Sequence, residues 1–469
     1  MRKNTSSSLN RRAFLKAGAA MTLLAASSSA VLAQTPDFSK LGLRRSFSPE
    51  AAALTSQAGS DVTAPLQALI NAAATAGEPL LLPAGRYKVS TLNLPSNAQL
   101  IGVPNLTILE ASGADPVLQA SDVSHIRLEG LSLDGKGTSG SGEGYKGLAL
   151  FKAASNLTIE DCSFFNGASC GLYLERSSGE VVRSSFTNLL DVAIFSVEGN
   201  ALNILDNRVS DCGNGGILVH RWSKGYDGAQ VRGNRISNIR ADAGGTGQNG
   251  NGINAYLADG VMVSNNIIRD CAFSAIRGNS SSNFQVLGNQ CLASGEVAIF
   301  CEFAFEGAVI SQNLVDGAAL GISVANLDQG GHLAVVSSNV VRNIKGTGPY
   351  PLGETAFGTG ISVEADASVT GNTIEDVARV GMLLGWGPFL RNVVASQNIL
   401  RGTPIGFNVS VAEGAGDVII AQNIIEGASE GAVLGYRWNE RATDDLTKKG
   451  ASEWPHLTVT DNRVVRATS

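Results

Sequence analysis

A short phrase, Gly-Ile-x-Val-x, recurs along the chain, and its variable positions collect side chains that can move protons or hold charge. The first variable position reads Leu218, Asn254, Arg277, Phe300, Ser323 and Ser362 in successive occurrences. The second reads His220, Tyr256, Asn279, Glu302, Ala325 and Glu364, and an earlier occurrence adds Tyr173 and Glu175. In an extended segment the Ile and Val turn one way and the x positions the other. A purely structural outer face would favour Thr, Ser, Lys and Val, so a run of His, Tyr, Arg and Glu is informative. One chemistry fits this set: removal of a proton from a carbon beside a carboxylate, which needs a cation, a base and an acid. Arg277 would neutralise the carboxylate, His220 and Tyr256 would exchange protons, and Glu302 stands beside them. If occurrences stack at the strand spacing, His220 falls about 5 Å from Tyr256, with Arg277 diagonal to Glu302. The plainer alternative is an Arg277–Glu302 ion pair with His220 and Tyr256 packed under a loop.

Other polar and aromatic residues flank these positions. Arg221, Trp222 and Lys224 follow His220, Glu306 follows Glu302, and Trp386 opens a later insertion. With Asn254, Asn279 and Glu364 they form the expected binding set. Insertions at 221–227, 240–251, 303–306, 326–331, 345–358 and 386–391 would wall a cleft with Trp222, Tyr226, Phe303, Phe305, Tyr350 and Trp386. Long loops on a rigid scaffold are where function concentrates. A hydrolase would instead need two carboxylates about 5–9.5 Å apart. Glu302 and Glu364 lie two occurrences apart, roughly 10 Å by strand spacing, while Glu302 with Glu306, or Glu364 with Asp366, could be closer. No metal or cofactor is expected. The four histidines (His125, His220, His332, His456) are scattered, no Cys-x-x-Cys occurs, and Gly244 to Gly252 lacks the Lys-Ser/Thr ending of a phosphate-binding loop.

The elements that must position these residues are short strands. An Asn recurs at 207, 234, 266, 289, 313, 339, 372, 398, 423 and 462, with gaps from Asn207 to Asn423 of 27, 32, 23, 24, 26, 33, 26 and 25. Between breaks the apolar residues alternate over three to five positions, which means strands rather than helices. Three short strands per turn of about 23 residues, with surplus looped out, predict an all-β, right-handed single-stranded parallel β-helix, a solenoid whose stacked coils share one core. The Asn series reads as structural: a turn residue tolerant of left-handed backbone whose amides bond along the stack. Cys212 and Cys271 each follow such an Asn by five positions, so the six cysteines read as buried thiols rather than a disulfide framework. Before the coils, residues 63–76 place Leu66, Leu69, Ile70 and Ala73 on one helical face. That helix would cap the open sheet end. The expected organisation is a leader (1–33), a linker (34–54), the cap and first coil (55–110) and coils (111–469).

The passage with Leu80 to Tyr87, together with the coils, resembles pectate-lyase-like β-helix proteins over most of residues 55–469. That resemblance implies a binding groove on the Gly-Ile-x-Val strand. It also implies an acidic polysaccharide handled by lyase or C5-epimerase chemistry, with a glycoside hydrolase or a non-catalytic polysaccharide-binding or envelope scaffold as alternatives. The Asp-rich calcium cluster of some pectate lyases is not evident. Arg11-Arg12 followed by Phe14-Leu15-Lys16, a small apolar run and Val31-Leu32-Ala33 resembles a twin-arginine export signal. Leader and repeats together resemble a family of twin-arginine-translocated repeat proteins. The implied partner is that translocase and the implied location is periplasmic or secreted. Loss of Arg2, Lys3, Arg11, Arg12 and Lys16 with the leader takes the formal charge from −6 to −11. Such a balance argues against nucleic-acid or anionic-membrane binding, and the apolar run is too short and too interrupted by serines for a stable membrane anchor.

Overall fold

The computed structural model describes Leu54 and residues 59–140, 147–351 and 356–465. The expected leader and the linker up to residue 53 lie outside the described residues. Three kinds of strand alternate along the chain, each pairing in parallel with its equivalent one coil later. Arg208–Cys212 pairs with Arg235–Ile239, Gly215–Tyr226 with Asn251–Asp259, and Gln230–Arg232 with Met262–Ser264. The first kind builds a 15-stranded sheet; the other two, joined where strands run on around a corner, form a 28-stranded sheet. The result is the right-handed parallel β-solenoid that the repeat predicts.

The alternation of side chains explains why the coils cohere. Ile217, Val219, Ile253, Ala255, Ile299, Cys301, Ile322 and Val324 point into one continuous core. No coil could bury this face alone, and stacking supplies the missing wall. All six cysteines are free and buried, and Cys212 and Cys271 share a column with Ile239 between them.

The Asn series forms a ladder through one corner of the solenoid. Asn289 is typical: its amide nitrogen donates to the Val263 carbonyl and to Asn313 Oδ1, both at 3.0 Å, and its backbone N–H donates to Asn313 Oδ1 at 2.9 Å. The same bonds link Asn207 through Asn462, and Ser184 N–H donates to Asn207 Oδ1 at the near end. One expectation is corrected. The left-handed backbone belongs to the preceding residue, for example Asp206 (φ 57°), Gln312 (60°), Ser338 (58°) and Gln422 (58°). The preceding residue makes the turn, so the Asn N–H and amide can both point along the stack.

The helix Thr63–Ala76 buries Leu66, Ile70, Ala73 and Ala74, ends on left-handed Gly77, and packs on the first strands. Leu69 is partly buried at its margin. Gln67 completes the cap by imitating a strand: its Nε2 donates to the Asn93 carbonyl, and Asn93 N–H donates back to Oε1, both at 2.7 Å. Two backbone groups on the first strand edge are thereby satisfied. Among the described residues, no helix is long and apolar enough to cross a membrane.

Candidate functional site

Strand register decides which side chains share a face. Leu218, Asn254, Arg277, Phe300, Ser323 and Ser362 stand opposite one another in successive coils, and the column continues through Leu383, Asn408 and Leu434. His220, Tyr256, Asn279 and Glu302 form the adjoining column. Ala325 and Glu364 extend it just past the ends of their strands, through backbone bonds from Ala325 N to the Cys301 carbonyl (3.1 Å) and from Glu364 N to the Val324 carbonyl (3.2 Å). Tyr173 leads the first column and Glu175 the second, through Phe195 and Val197.

In the early part of this face His220 and Arg277 are closed over, while Tyr256 stays exposed. His220 sits in edge-to-face contact between Phe195 (5.0 Å) and Tyr256 (5.5 Å), and its Nε2 is buried without a hydrogen-bond partner. Burial pushes its pKa down to about 4, which makes the ring neutral at pH 7. The loop 244–251 folds across Arg277, whose Nη1 donates to the Gly247 carbonyl and whose Nε donates to Glu302 Oε1 at 2.5 Å. Asn279 Nδ2 adds a 3.0 Å bond to the same oxygen. The Arg277 and Glu302 side chains are only 11% and 5% exposed. This is a buried, satisfied ion pair, with Arg277 also lying 5.7 Å from the Phe300 ring centroid. Burial raises the Glu302 pKa against the pull of Arg277.

The expected binding residues of this stretch are dispersed. Arg221 is held by Glu198 (2.5 Å) and the Gly199 carbonyl (3.3 Å). Lys224 Nζ donates to the Ala304 carbonyl, strapping one coil edge to another. Trp222 and Tyr226 are exposed, Trp222 with Arg176 beside its ring at 5.8 Å. Asn254 is buried with Oδ1 unpartnered, and Glu306 is exposed at the start of its own strand. Phe305 is corrected: it is 1% exposed and belongs to the main core, not to a cleft wall. Its aromatic bulk closes the corner at the head of the next strand.

An open cleft of about 630 Å³ lies farther along the same face. Its floor is Phe300, Ser323, Ser362, Leu383 and Asn408 of the first column, and its walls come from insertions. Of the expected residues, Glu364, Trp386 and Tyr350 line it. Tyr350 and Phe357 approach at 5.3 Å, while Trp386 meets Trp438 edge-on at 5.7 Å, with Phe389 6.5 Å from Trp438. Tyr350 Oη donates to Glu296 Oε1 at 2.5 Å, pinning insertion 345–358 to a strand end 54 residues earlier. Burial raises the Glu296 pKa. Glu364 accepts the Leu327 N–H at 2.7 Å, and desolvation lifts its pKa to about 7.

Sequence reasoning missed Glu296, Phe357, Arg379, Glu430, Tyr436 and Trp438, all of which line this cleft. A signal existed for three. Glu296, Arg379 and Glu430 each immediately precede a strand, and those strands, beginning Val297, Val380 and Gly431, stack on the same face. Following the columns to the last coil would have found them. A signal also existed for Tyr436, which stands opposite Ser410 in parallel register, whereas Phe357 and Trp438 sit in an insertion and a hairpin turn, where no repeat phase applies.

The sequence profile of the right-handed beta helix region matches residues 107–236 and 222–340. Across those residues the chain carries a right-handed beta helix region, in agreement with the coils described above. Among solved structures, this β-helix resembles the N-terminal fragment of gene product 12 of bacteriophage phi29, with 16% identity, TM-score 0.55, and coverage of 80% of this chain and 66% of that one. The pre-mature form of gene product 12 gives 16% identity, TM-score 0.50 and coverages of 80% and 53%. The catalytic unit of an α-1,3-glucanase from Streptomyces thermodiastaticus gives 16% identity, TM-score 0.41 and coverages of 86% and 66%. The β-helix thus spans about two thirds or less of each of these chains, and at such identities the likeness is one of fold. No curated protein matches the chain.

Proposed function

We propose that this β-helix protein binds a polysaccharide in the cleft bounded by Tyr350, Trp386, Tyr436 and Trp438. The observation that carries the reading is the pairing of an aromatic wall with a hydroxyl-and-amide floor. Ser323, Ser362 and Asn408 present donors and acceptors at coil spacing beneath ring faces that suit the C–H faces of sugars. Binding here is favoured over lyase or epimerase chemistry at His220 and Tyr256, because that chemistry asks Arg277 to meet a substrate carboxylate. Its guanidinium is given to Glu302 and Gly247 instead. The leader-like residues 1–33 would carry the cleft to the periplasm or beyond through the twin-arginine translocase. N-terminal sequencing of chain recovered from that compartment tests this, with Gln34 as the expected first residue.

Titration of the purified chain with soluble glycans, followed by tryptophan fluorescence and calorimetry, tests the binding reading. Trp386→Ala or Trp438→Ala should weaken binding about tenfold or more, since stacking aromatics dominate such contacts. The Trp222→Ala change, on the exposed early stretch, should leave affinity unchanged. Equal loss from all three, or from none, defeats the assignment. A reducing-end assay on the bound glycan separates binding from hydrolysis.

A further inference from the structure

We infer that the cleft selects an uncharged glycan and discriminates against polyuronates, an inference that rests on the binding reading above. The lining decides the point. Among the described residues it contains three carboxyl side chains, Glu296, Glu364 and Glu430, against one cation, Arg379. Arg379 is exposed and gives one N–H, from Nη1, to the Phe357 carbonyl at 3.4 Å, so a single cation faces three carboxyl groups. Glu364 is held by the backbone N–H of Leu327 and faces Asp328 rather than any cation. Glu296 is met by the Tyr350 and Ser274 hydroxyls, at 2.5 and 3.4 Å. A uronate threaded through this space would bring one carboxylate per sugar toward three carboxyl groups, of which Glu296 has Arg277 nearby but already paired with Glu302, in a setting where like charges repel more strongly than in water. Sugar hydroxyls meet no such obstacle. Carboxyl oxygens accept from them, and the serines and Asn408 both donate and accept. The other cations of the face are committed: Arg277, at the cleft's edge beside Phe300, to Glu302, Arg221 to Glu198, Lys224 to the Ala304 carbonyl.

The test is calorimetric titration of the full chain at pH 7.5 and low salt. The probes are hexamers of glucose in α-1,4 and β-1,4 linkage, N-acetylglucosamine, galacturonate and mannuronate. At least one neutral hexamer should bind, with both uronate hexamers at least ~10-fold weaker. The gap should narrow as salt screens the repulsion. The double change Glu296→Gln with Glu364→Gln should improve uronate affinity severalfold while the tryptophan spectrum stays native. Uronates binding as tightly as the neutral hexamers, or indifference of their affinity to the double change, overturns the charge selection and leaves the cleft as a binding site. Failure of every hexamer to bind overturns the binding reading itself, and the selection with it.

Discussion

Glu364 and His220 are both removed from water, and the consequences for stability have opposite signs. Glu364 titrates near 4.5 when unfolded and near 7 in the cleft, because burial disfavours its charged form. Between those values the folded chain holds a proton that the unfolded chain has released. Its contribution therefore turns against folding as pH rises, by roughly 3 kcal/mol across the window. Glu364→Gln keeps an oxygen for the Leu327 N–H but does not titrate. The variant should match the parent near pH 4 and exceed it by roughly 3 kcal/mol at pH 8, measured as denaturation midpoints across that range. An advantage that fails to grow with pH removes the buried-acid account. His220 behaves inversely. Its pKa falls from 6.5 to about 4, so the unfolded chain takes up a proton that the folded chain refuses as pH drops through that interval. His220→Phe, packed between Phe195 and Tyr256, should gain stability over the parent as pH falls from 7 to 4.5. A constant difference between the two would show that the parent ring charges freely in place.

Among the elements, the Asn ladder carries the sharpest expectation. Removing the amide of Asn289 deprives the Asn266 N–H and Nδ2 of their shared acceptor and the Val263 carbonyl of its donor, all in a buried corner. Buried groups left unpaired cost about 1–3 kcal/mol each, so Asn289→Ala should destabilise by roughly 2–5 kcal/mol, read from urea midpoints. A loss below about 1 kcal/mol would mean the corner rehydrates. This ladder was legible in the sequence because period and phase are local properties. The Asn spacing and the apolar alternation define the coil, and from them the partners of His220, Arg277 and Glu302 follow without coordinates. The left-handed role was assigned one residue late because Asn tolerates that backbone, whereas the position before it is filled by Asp, Gly, Asn, Gln or Ser and shows no uniform type. The cleft was only half legible. Its floor lies on the repeat, but its walls depend on where insertions fold, as when Tyr350 reaches Glu296, and no periodic signal encodes that path. The same gap let Phe305, which follows a strand end, be read as wall when it fills the core.

At the scale of the whole molecule, each coil touches chiefly its two neighbours, so stability is a sum of adjacent terms rather than one cooperative block. The cysteines supply internal reporters of this property. They occupy core positions from Cys162 to Cys301 and none reaches solvent. Burial pushes the thiols of Cys162, Cys212, Cys271 and Cys301 up to about 12, leaving almost no thiolate at pH 8. A thiol reagent should therefore be silent toward the native chain and react only through opening of the coils. Asn266→Ala and Asn423→Ala remove equivalent ladder bonds, one amid the cysteines and one beyond them toward the last coil. If opening is local, the first change should speed labelling tenfold or more, as a loss of about 1.4 kcal/mol or greater implies. The second should leave the rate near that of the parent even though it loosens the final coils. Were the solenoid a single two-state unit, both variants would accelerate labelling in proportion to their loss of global stability. Equal acceleration by the two would thus refute nearest-neighbour behaviour, because distance from the cysteines is the variable that separates them.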